Sequence, residues 1–573
     1  MLIGQGGVYC GQGMRADGLF RPGAVGRMTL GALVGVVLML LGCCNRPGVA
    51  PITSPPASAS PTARPSLTSS PSPTATQTPL PTATPSPTLT STPPIPTSTP
   101  IPAPAQFEAA GCRFRLPPAE TVECGFLIVP RDRSRPTGPT IRLHVAVVKS
   151  HSQRPATDPV LYLEGGPGGH ALDGLVWNIE HLQGVLADRD FIVFDQRGVG
   201  HSEPLLDCPE VAELFFETLD QNLSREERVA RQLEAQLACR DRLLDEGVDL
   251  TAYNSAASAA DVNDLRLALG YDEWNVYGVS YGARLALTVM RDFPSGVRSA
   301  ILDSTLPLQV DSEAERAANT GRVLDQLFGG CAADAECKVA FPNLEATFYQ
   351  LIEQLDARAI PVQMRHPLTG EQVNGLINGD DMIVILVNLL YDAHVIPWLP
   401  TLIADTNQGD YSLLSEYLGR LLAGNDFLSE GMGNSVHCGE EVRFSSLESA
   451  ASAAGVHPRL REYLLPNAQI VFALCEAWGA KEADPIENKA VVSNIPTLVL
   501  AGEYDPITPP AWGLAAAETL TQVYYLTFPA VGHGALTTDP CARAVVDVFL
   551  DNPNAAPRPD CLANLATLDF ITR

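Results

Sequence analysis

The residues with the clearest chemical potential are Gly278-Val279-Ser280-Tyr281-Gly282. This G-x-S-x-G pattern sits between a short apolar run, Trp274-Asn275-Val276-Tyr277, and a helical stretch from Ala283 to Arg291. A strand that turns sharply into a helix here holds its serine in strained backbone and brings neighbouring turns close, which calls for glycine on both sides. The pentapeptide alone is common, but a strand before it and a helix after it favour a nucleophile and hence a serine hydrolase. A serine hydroxyl attacks poorly at neutral pH unless a histidine takes its proton and an acid orients the histidine. In sites of this kind the chain order is Ser, acid, His. Asp505 lies in Leu500-Ala501-Gly502-Glu503-Tyr504-Asp505-Pro506, directly after an apolar run, with Glu503 as second choice of acid. His533 stands between Gly532 and Gly534 after the last apolar run. His170, His201, His394 and His437 lack that placement and read as structural or solvated residues. Two donors must face the developing oxyanion. The Tyr281 N–H supplies one, and the loop Gly165-Gly166-Pro167-Gly168-Gly169 supplies the other at Gly166. Neither a G-x-G-x-x-G helix start nor a G-K-[ST] element is present, so a nucleotide-phosphate loop is not the reading.

These residues need elements to hold them. Ile141–Val148, Pro159–Leu163, Phe191–Phe194, Trp274–Tyr277, Ala300–Asp303, Ile495–Leu500 and Val523–Leu526 read as short strands alternating with helical patterns. The fold class is therefore α/β, with a mostly parallel central sheet. Residues 306–485 are helix-rich and without clean strands. Ser280 and Asp505 stand much further apart in sequence than one strand-helix-strand step requires, so that stretch reads as an inserted, mainly helical cap over the site. The expected division is a signal segment over 1–43, a stalk over 44–106, a first core part over 107–305, the cap over 306–485 and a second core part over 486–573.

The chain has 573 residues and a formal charge of −27 with no basic cluster, which speaks against nucleic acid and anionic membrane surfaces as partners. Arg15, Arg21 and Arg27 precede an apolar run from Met28 to Leu41, too short for a confident membrane span. The run ends in Leu40-Leu41-Gly42-Cys43, which resembles a bacterial lipobox. That resemblance implies lipidation at Cys43, with Cys44 a bystander or second candidate, and a membrane-anchored extracytoplasmic protein. An ordinary secretory signal or an anchor helix are the other readings, and Met14 is an alternative start. Residues 51–105 are a Pro/Thr/Ser tract whose only charge is Arg64. Such a tract cannot bury a core and reads as a stalk. Beyond it lie ten cysteines, at 112, 124, 208, 239, 331, 337, 438, 475, 541 and 561. An even number in an exported domain suggests disulfides, and neighbour-to-neighbour pairing is the simplest arrangement, although sequence does not fix connectivity.

Taken together, the motifs resemble the secreted tripeptidyl/prolyl aminopeptidase (TAP-like) family of α/β-hydrolases. The carriers are GGPGG at 165–169, DQRGVGHS at 195–202, GVSYGARLAL at 278–287, IPTLVLAGEYDPITP at 495–509 and AVGHGAL at 530–536. The resemblance spans roughly 107–573. It implies Ser280 as nucleophile, Asp505 as orienting acid, His533 as base and peptide substrates; no cofactor is expected, because triad chemistry needs none. Ala283, where a further glycine is usual, and Glu164 before GGPGG depart from the family pattern. An enzyme that removes N-terminal residues must recognise a free ammonium. Glu440 or Glu441, in His437-Cys438-Gly439-Glu440-Glu441 of the cap, is the carboxylate expected to do so. An exposed acidic pair beside a disulfide is the plainer reading. A carboxylesterase with the same triad, or an inactive surface binding protein, remain as other functions.

Overall fold

The computed structural model describes residues 105–366, 369–422, 427–565 and 567–572. The signal segment, the lipobox with Cys43 and nearly all of the stalk lie outside the described residues. A nine-stranded sheet organises the rest. Its strands are β1 (Gln106–Ala109), β2 (Val122–Pro130), β3 (Thr140–Val148), β4 (Val160–Leu163), β5 (Phe191–Phe194), β6 (Trp274–Val279), β7 (Val297–Asp303), β10 (Thr497–Gly502) and β11 (Val523–Phe528). The order across the sheet is β1-β2-β3-β5-β4-β6-β7-β10-β11. From β5 to β11 all neighbours are parallel, while β1, β2 and β3 form an antiparallel edge.

Val160-Leu161-Tyr162-Leu163 and Phe191-Ile192-Val193-Phe194 are buried at every position. Such unbroken apolar runs belong to parallel strands covered on both faces. Helices Ser255–Leu269 and Tyr281–Asp292 cover one face through Val262, Leu265, Leu285 and Val289. Helices Ala171–Asn178 and Pro540–Asp551 cover the other through Leu172, Leu175, Val545 and Phe549. β1 and β2 are absent from the sequence reading. β1 is a four-residue edge strand, and β2 is buried continuously from Cys124 to Leu127, so neither shows the alternation by which β3 is recognised.

Between β7 and β10 the chain builds a cap with its own apolar cluster, including Phe328, Phe348, Leu386, Leu402 and Leu414. Its long helices include Ser312–Ala333 and Pro458–Trp478. Contrary to the expectation that this stretch lacks strands, β8 (Ile360–Arg365) and β9 (Gln372–Ile377) pair antiparallel within it. Val362 and Met364 point inward from β8 between exposed neighbours, a two-residue period too short to stand out among helices. Helix Arg225–Asp245, between β5 and β6, leans on the cap through Arg225–Asp380 and Arg228–Asp381 ion pairs. The ten cysteines form the neighbour-to-neighbour pairs Cys112–Cys124, Cys208–Cys239, Cys331–Cys337, Cys438–Cys475 and Cys541–Cys561.

Candidate active site

β6 delivers Ser280 to the carboxyl end of the sheet with φ 57° and ψ −123°, and helix Tyr281–Asp292 begins at the next residue. Few non-glycine residues adopt such a backbone, and strain of this kind clusters at functional sites. The flanking glycines are explained by contact. A Cβ on Gly278 would overlap the carbonyl of Gly282, and a Cβ on Gly282 would overlap the carbonyl of Leu163 on β4. The Ser280 N–H donates to the Asp303 carbonyl at 3.0 Å, fastening the turn to β7.

Asp505 and His533 follow β10 and β11. The His533 Nδ1–H donates to Asp505 Oδ2 at 2.9 Å, and Asp505 is fully buried. Thr508 donates its hydroxyl to the same Oδ2 at 2.8 Å, while the Ile507 and Thr508 N–H groups donate to Oδ1 at 3.0 and 2.8 Å. Burial would raise the Asp505 carboxyl, but the charge and hydrogen bond of His533 and these donors outweigh it and hold the acid below its usual range. For His533 burial acts downward, and Asp505 overcomes it with help from Asp303 and Glu164, leaving the imidazole above its ordinary value. The cap also fixes this histidine. Its N–H donates to the Tyr391 carbonyl at 3.0 Å, and the Tyr391 ring packs 4.9 Å from the imidazole. Glu503, the second-choice acid, instead accepts from Gln326 of the cap at 2.9 Å.

The glycine loop closes the other side of the site. Gly166 has φ 110°, a conformation that favours glycine. Among the described residues, the N–H groups of Gly166 and Tyr281 have no hydrogen-bond acceptor, and both residues line a cavity together with Ser280. Glu164 and His170 brace the loop. Glu164 accepts from the Gly165 N–H at 2.8 Å and from the Tyr162 hydroxyl at 2.9 Å. His170 sits between Asp173 and Asp207, at 3.3 and 3.5 Å, and beside the Ser429 hydroxyl at 3.0 Å. It is a structural histidine, as the sequence suggests.

The cap roofs the same cavity. Helix Ser312–Ala333 contributes Ser312, Arg316, Asn319 and Thr320, and residues 436–441 contribute Val436, His437 and Glu441. Asn319 is 7% exposed, and its Nδ2 has no acceptor among the described residues. His437, read from sequence as structural or solvated, pairs with Glu313 at 3.1 Å and lies on the wall of the site.

The acidic pair separates. His437–Glu441 is a π-helical turn, a distortion found disproportionately at functional sites. Glu440 turns away from the cavity toward the start of helix Ser255–Leu269, where the Ser255 hydroxyl donates to it at 2.6 Å and the Ser255 N–H also donates. It is 2% exposed, and burial pushes its carboxyl up to about 7 against the opposing pull of Arg284. The expectation that Glu440 meets substrate is therefore corrected, because its carboxylate is spent inside the protein. Glu441 lines the cavity. The Ser312 hydroxyl donates to its Oε2 at 2.7 Å. Its Oε1 is 2.8 Å from Arg284 Nη1 in an ion pair without hydrogen-bond geometry, so that oxygen has no hydrogen-bond donor among the described residues.

Sequence reasoning passed over Tyr391, Thr508, the polar stripe on helix Ser312–Ala333, and Asp303-Ser304. Only Asp303 carried a visible signal, an acid ending the buried run Ala300-Ile301-Leu302.

Residues 158–354 match the family model described as alpha/beta hydrolase fold, and residues 464–561 match the one described as TAP-like protein. The tripeptidyl aminopeptidase of Streptomyces lividans is 25% identical over 471 residues, covering 76% of this chain and 85% of that protein. The serine protease Hip1 of Mycobacterium tuberculosis (strain H37Rv) is 23% identical over 457 residues, covering 76% and 86%. Carboxylesterase B of M. tuberculosis (strain CDC 1551) is 28% identical over 454 residues, covering 75% and 84%.

Proposed function

This chain is an α/β-hydrolase with a TAP-like C-terminal part, and from that premise we propose that it is a serine aminopeptidase releasing N-terminal residues or short peptides, of tripeptidyl or prolyl type. Ser280 Oγ attacks the scissile carbonyl while His533 takes its proton and Asp505 steadies the imidazolium that forms. The N–H groups of Tyr281 and Gly166 receive the oxyanion. The tetrahedral adduct collapses as His533 protonates the leaving amine, leaving an acyl group on Ser280. Water activated by the same histidine then frees the acid.

One observation favours peptides over simple esters: the polar roof of the cavity. Ser312, Arg316, Asn319, His437 and Glu441 line the space above Ser280, so the roof carries hydroxyl, guanidinium, amide, imidazole and carboxylate groups. A short acyl chain brings few polar partners for such a lining, whereas a peptide brings carbonyls for its donors and an ammonium for its carboxylate. In this reading Glu441 anchors the substrate's N-terminus. The carboxylesterase reading keeps the same triad and differs only in what the roof accepts.

The proposed setting is extracytoplasmic. The apolar run ending at Cys43, the proline-rich tract after it and the even set of cysteines all support lipid anchoring outside the cytoplasm. Rapid acid quenching of the enzyme during turnover of a peptide amide, followed by mass spectrometry, tests the chemistry. An acyl adduct on the peptide containing Ser280 supports the proposal; turnover with the adduct on another residue overturns it.

A further inference from the structure

Asp303 ends β7 and Ser304 follows it, at the point where all three proposed catalytic loops meet. The Asp303 carbonyl accepts the Ser280 N–H at 3.0 Å, and the Ser304 N–H donates to the Leu500 carbonyl on β10 at 2.9 Å. Their side chains face the histidine loop. Ser304 Oγ accepts from the Gly534 N–H at 2.8 Å. Asp303 Oδ1 and Oδ2 accept from the Ala535 and Leu536 N–H groups at 2.8 and 2.9 Å. Three consecutive amides directly after His533 therefore end on two adjacent side chains.

This arrangement is expensive in ways that sheet formation does not require. Both residues are fully buried. Ser304 has φ 52°, a left-handed backbone that is strained for a non-glycine residue. Among the described residues, no cationic side chain bonds the buried Asp303 carboxylate. Its hydrogen bonds come from the two amides, with the Tyr277 hydroxyl further off at 3.4 Å. Burial pushes its carboxyl up to about 6 despite the amide bonds. Strain and buried charge gathered beside one loop point to a positional task.

We infer that Asp303 and Ser304 are positioning residues which, by gripping the backbone after His533, hold the imidazole in register with Ser280. Neither touches substrate, and both act through the histidine. A misplacement of about 1 Å at a catalytic group is worth on the order of a hundredfold in rate, so a grip of this kind governs the chemical step and not binding.

The inference rests on Ser280 and His533 acting together, and its test separates the two. A fluorophosphonate reports activation of the serine without any choice of peptide, and its saturation kinetics divide affinity (KI) from reaction (kinact). Labelling of the full chain that is lost in Ser280→Ala but equals wild type in His533→Ala would refute the Ser280–His533 reading. With that pair behaving as proposed, Ser304→Gly and Asp303→Asn are compared with wild type. Glycine suits the backbone at 304, so this variant keeps its fold and unfolding temperature. The expected result is a kinact about tenfold lower in Ser304→Gly and about a hundredfold lower in Asp303→Asn, with KI within twofold. A wild-type kinact in Ser304→Gly, or a loss expressed in KI alone, would overturn the positioning role.

Discussion

Glu440 and Glu441 are consecutive in the chain and face different interiors. The first accepts both donors of Ser255 behind the nucleophile helix, and the second reaches the cavity above Ser280 with one oxygen free of hydrogen-bond donors among the described residues. The two residues end the π-turn His437–Glu441, and consecutive side chains on a helical turn point in different directions. Glu440 ties the cap to the core through Ser255, while Glu441 lines the cavity and is ion-paired with Arg284 of the nucleophile helix.

The two acids should therefore differ in kinetics. Glu441→Gln is expected to raise KM for peptides with a free N-terminus about tenfold or more, the worth of a hydrogen bond to a charged group. KM for a simple ester should change little. Glu440→Gln should leave both nearly unchanged. Equal effects of Glu441→Gln on peptide and ester would remove the ammonium-anchor role.

Glu440 should instead report on stability. Its carboxyl is raised from about 4.5 to about 7 in the folded protein. Between those values the folded state holds more protons than the unfolded state, so unfolding free energy falls as pH rises through the window. Replacing Glu440 by Gln removes its share of that slope, and thermal unfolding between pH 4.5 and 7 should become flatter than in wild type. An unchanged slope would mean that Glu440 does not take up its proton in the fold.

The activity profile should follow His533. Its proton affinity is raised, chiefly by Asp505 acting against burial, so the base is lost to protonation at a pH above the ordinary histidine value of about 6.5. The acid limb of kcat/KM should have its midpoint above that value. Asp505→Asn should move the midpoint downward while lowering kcat by about 10⁴. A limb that stays in place in the variant would assign it to another group.

Much of this site was legible because its residues break local rules. A glycine on either side of a serine, a histidine between glycines and an acid after an apolar run are hard to explain as packing, and they marked Ser280, His533 and Asp505. The parallel strands were legible as apolar runs, and β1 and β2 were not, because neither carries an alternating pattern. Tyr391 and Asn319 left no local trace. Their importance comes from where the cap helices settle on the core, which depends on contacts far apart in sequence. The Glu440–Glu441 choice was beyond sequence for a related reason, since it is decided by Ser255, Arg284 and Ser312, all distant in the chain.

The Cys438–Cys475 disulfide anchors the turn that carries Glu441 to helix Pro458–Trp478. Replacing both cysteines by alanine should lower unfolding free energy by about 2–4 kcal/mol, the range for closing a loop of this kind. It should also raise peptide KM more than ester KM. Denaturant unfolding checks the first effect and steady-state kinetics the second.

The most direct test of the aminopeptidase reading is the rate of release from a tripeptidyl chromogenic amide, measured with the N-terminus free and with it acetylated, for wild type and Ser280→Ala. The account predicts cleavage of the free peptide only, abolished in the variant. Equal cleavage of the acetylated peptide, or Ser280-dependent turnover confined to short-chain esters, would contradict it.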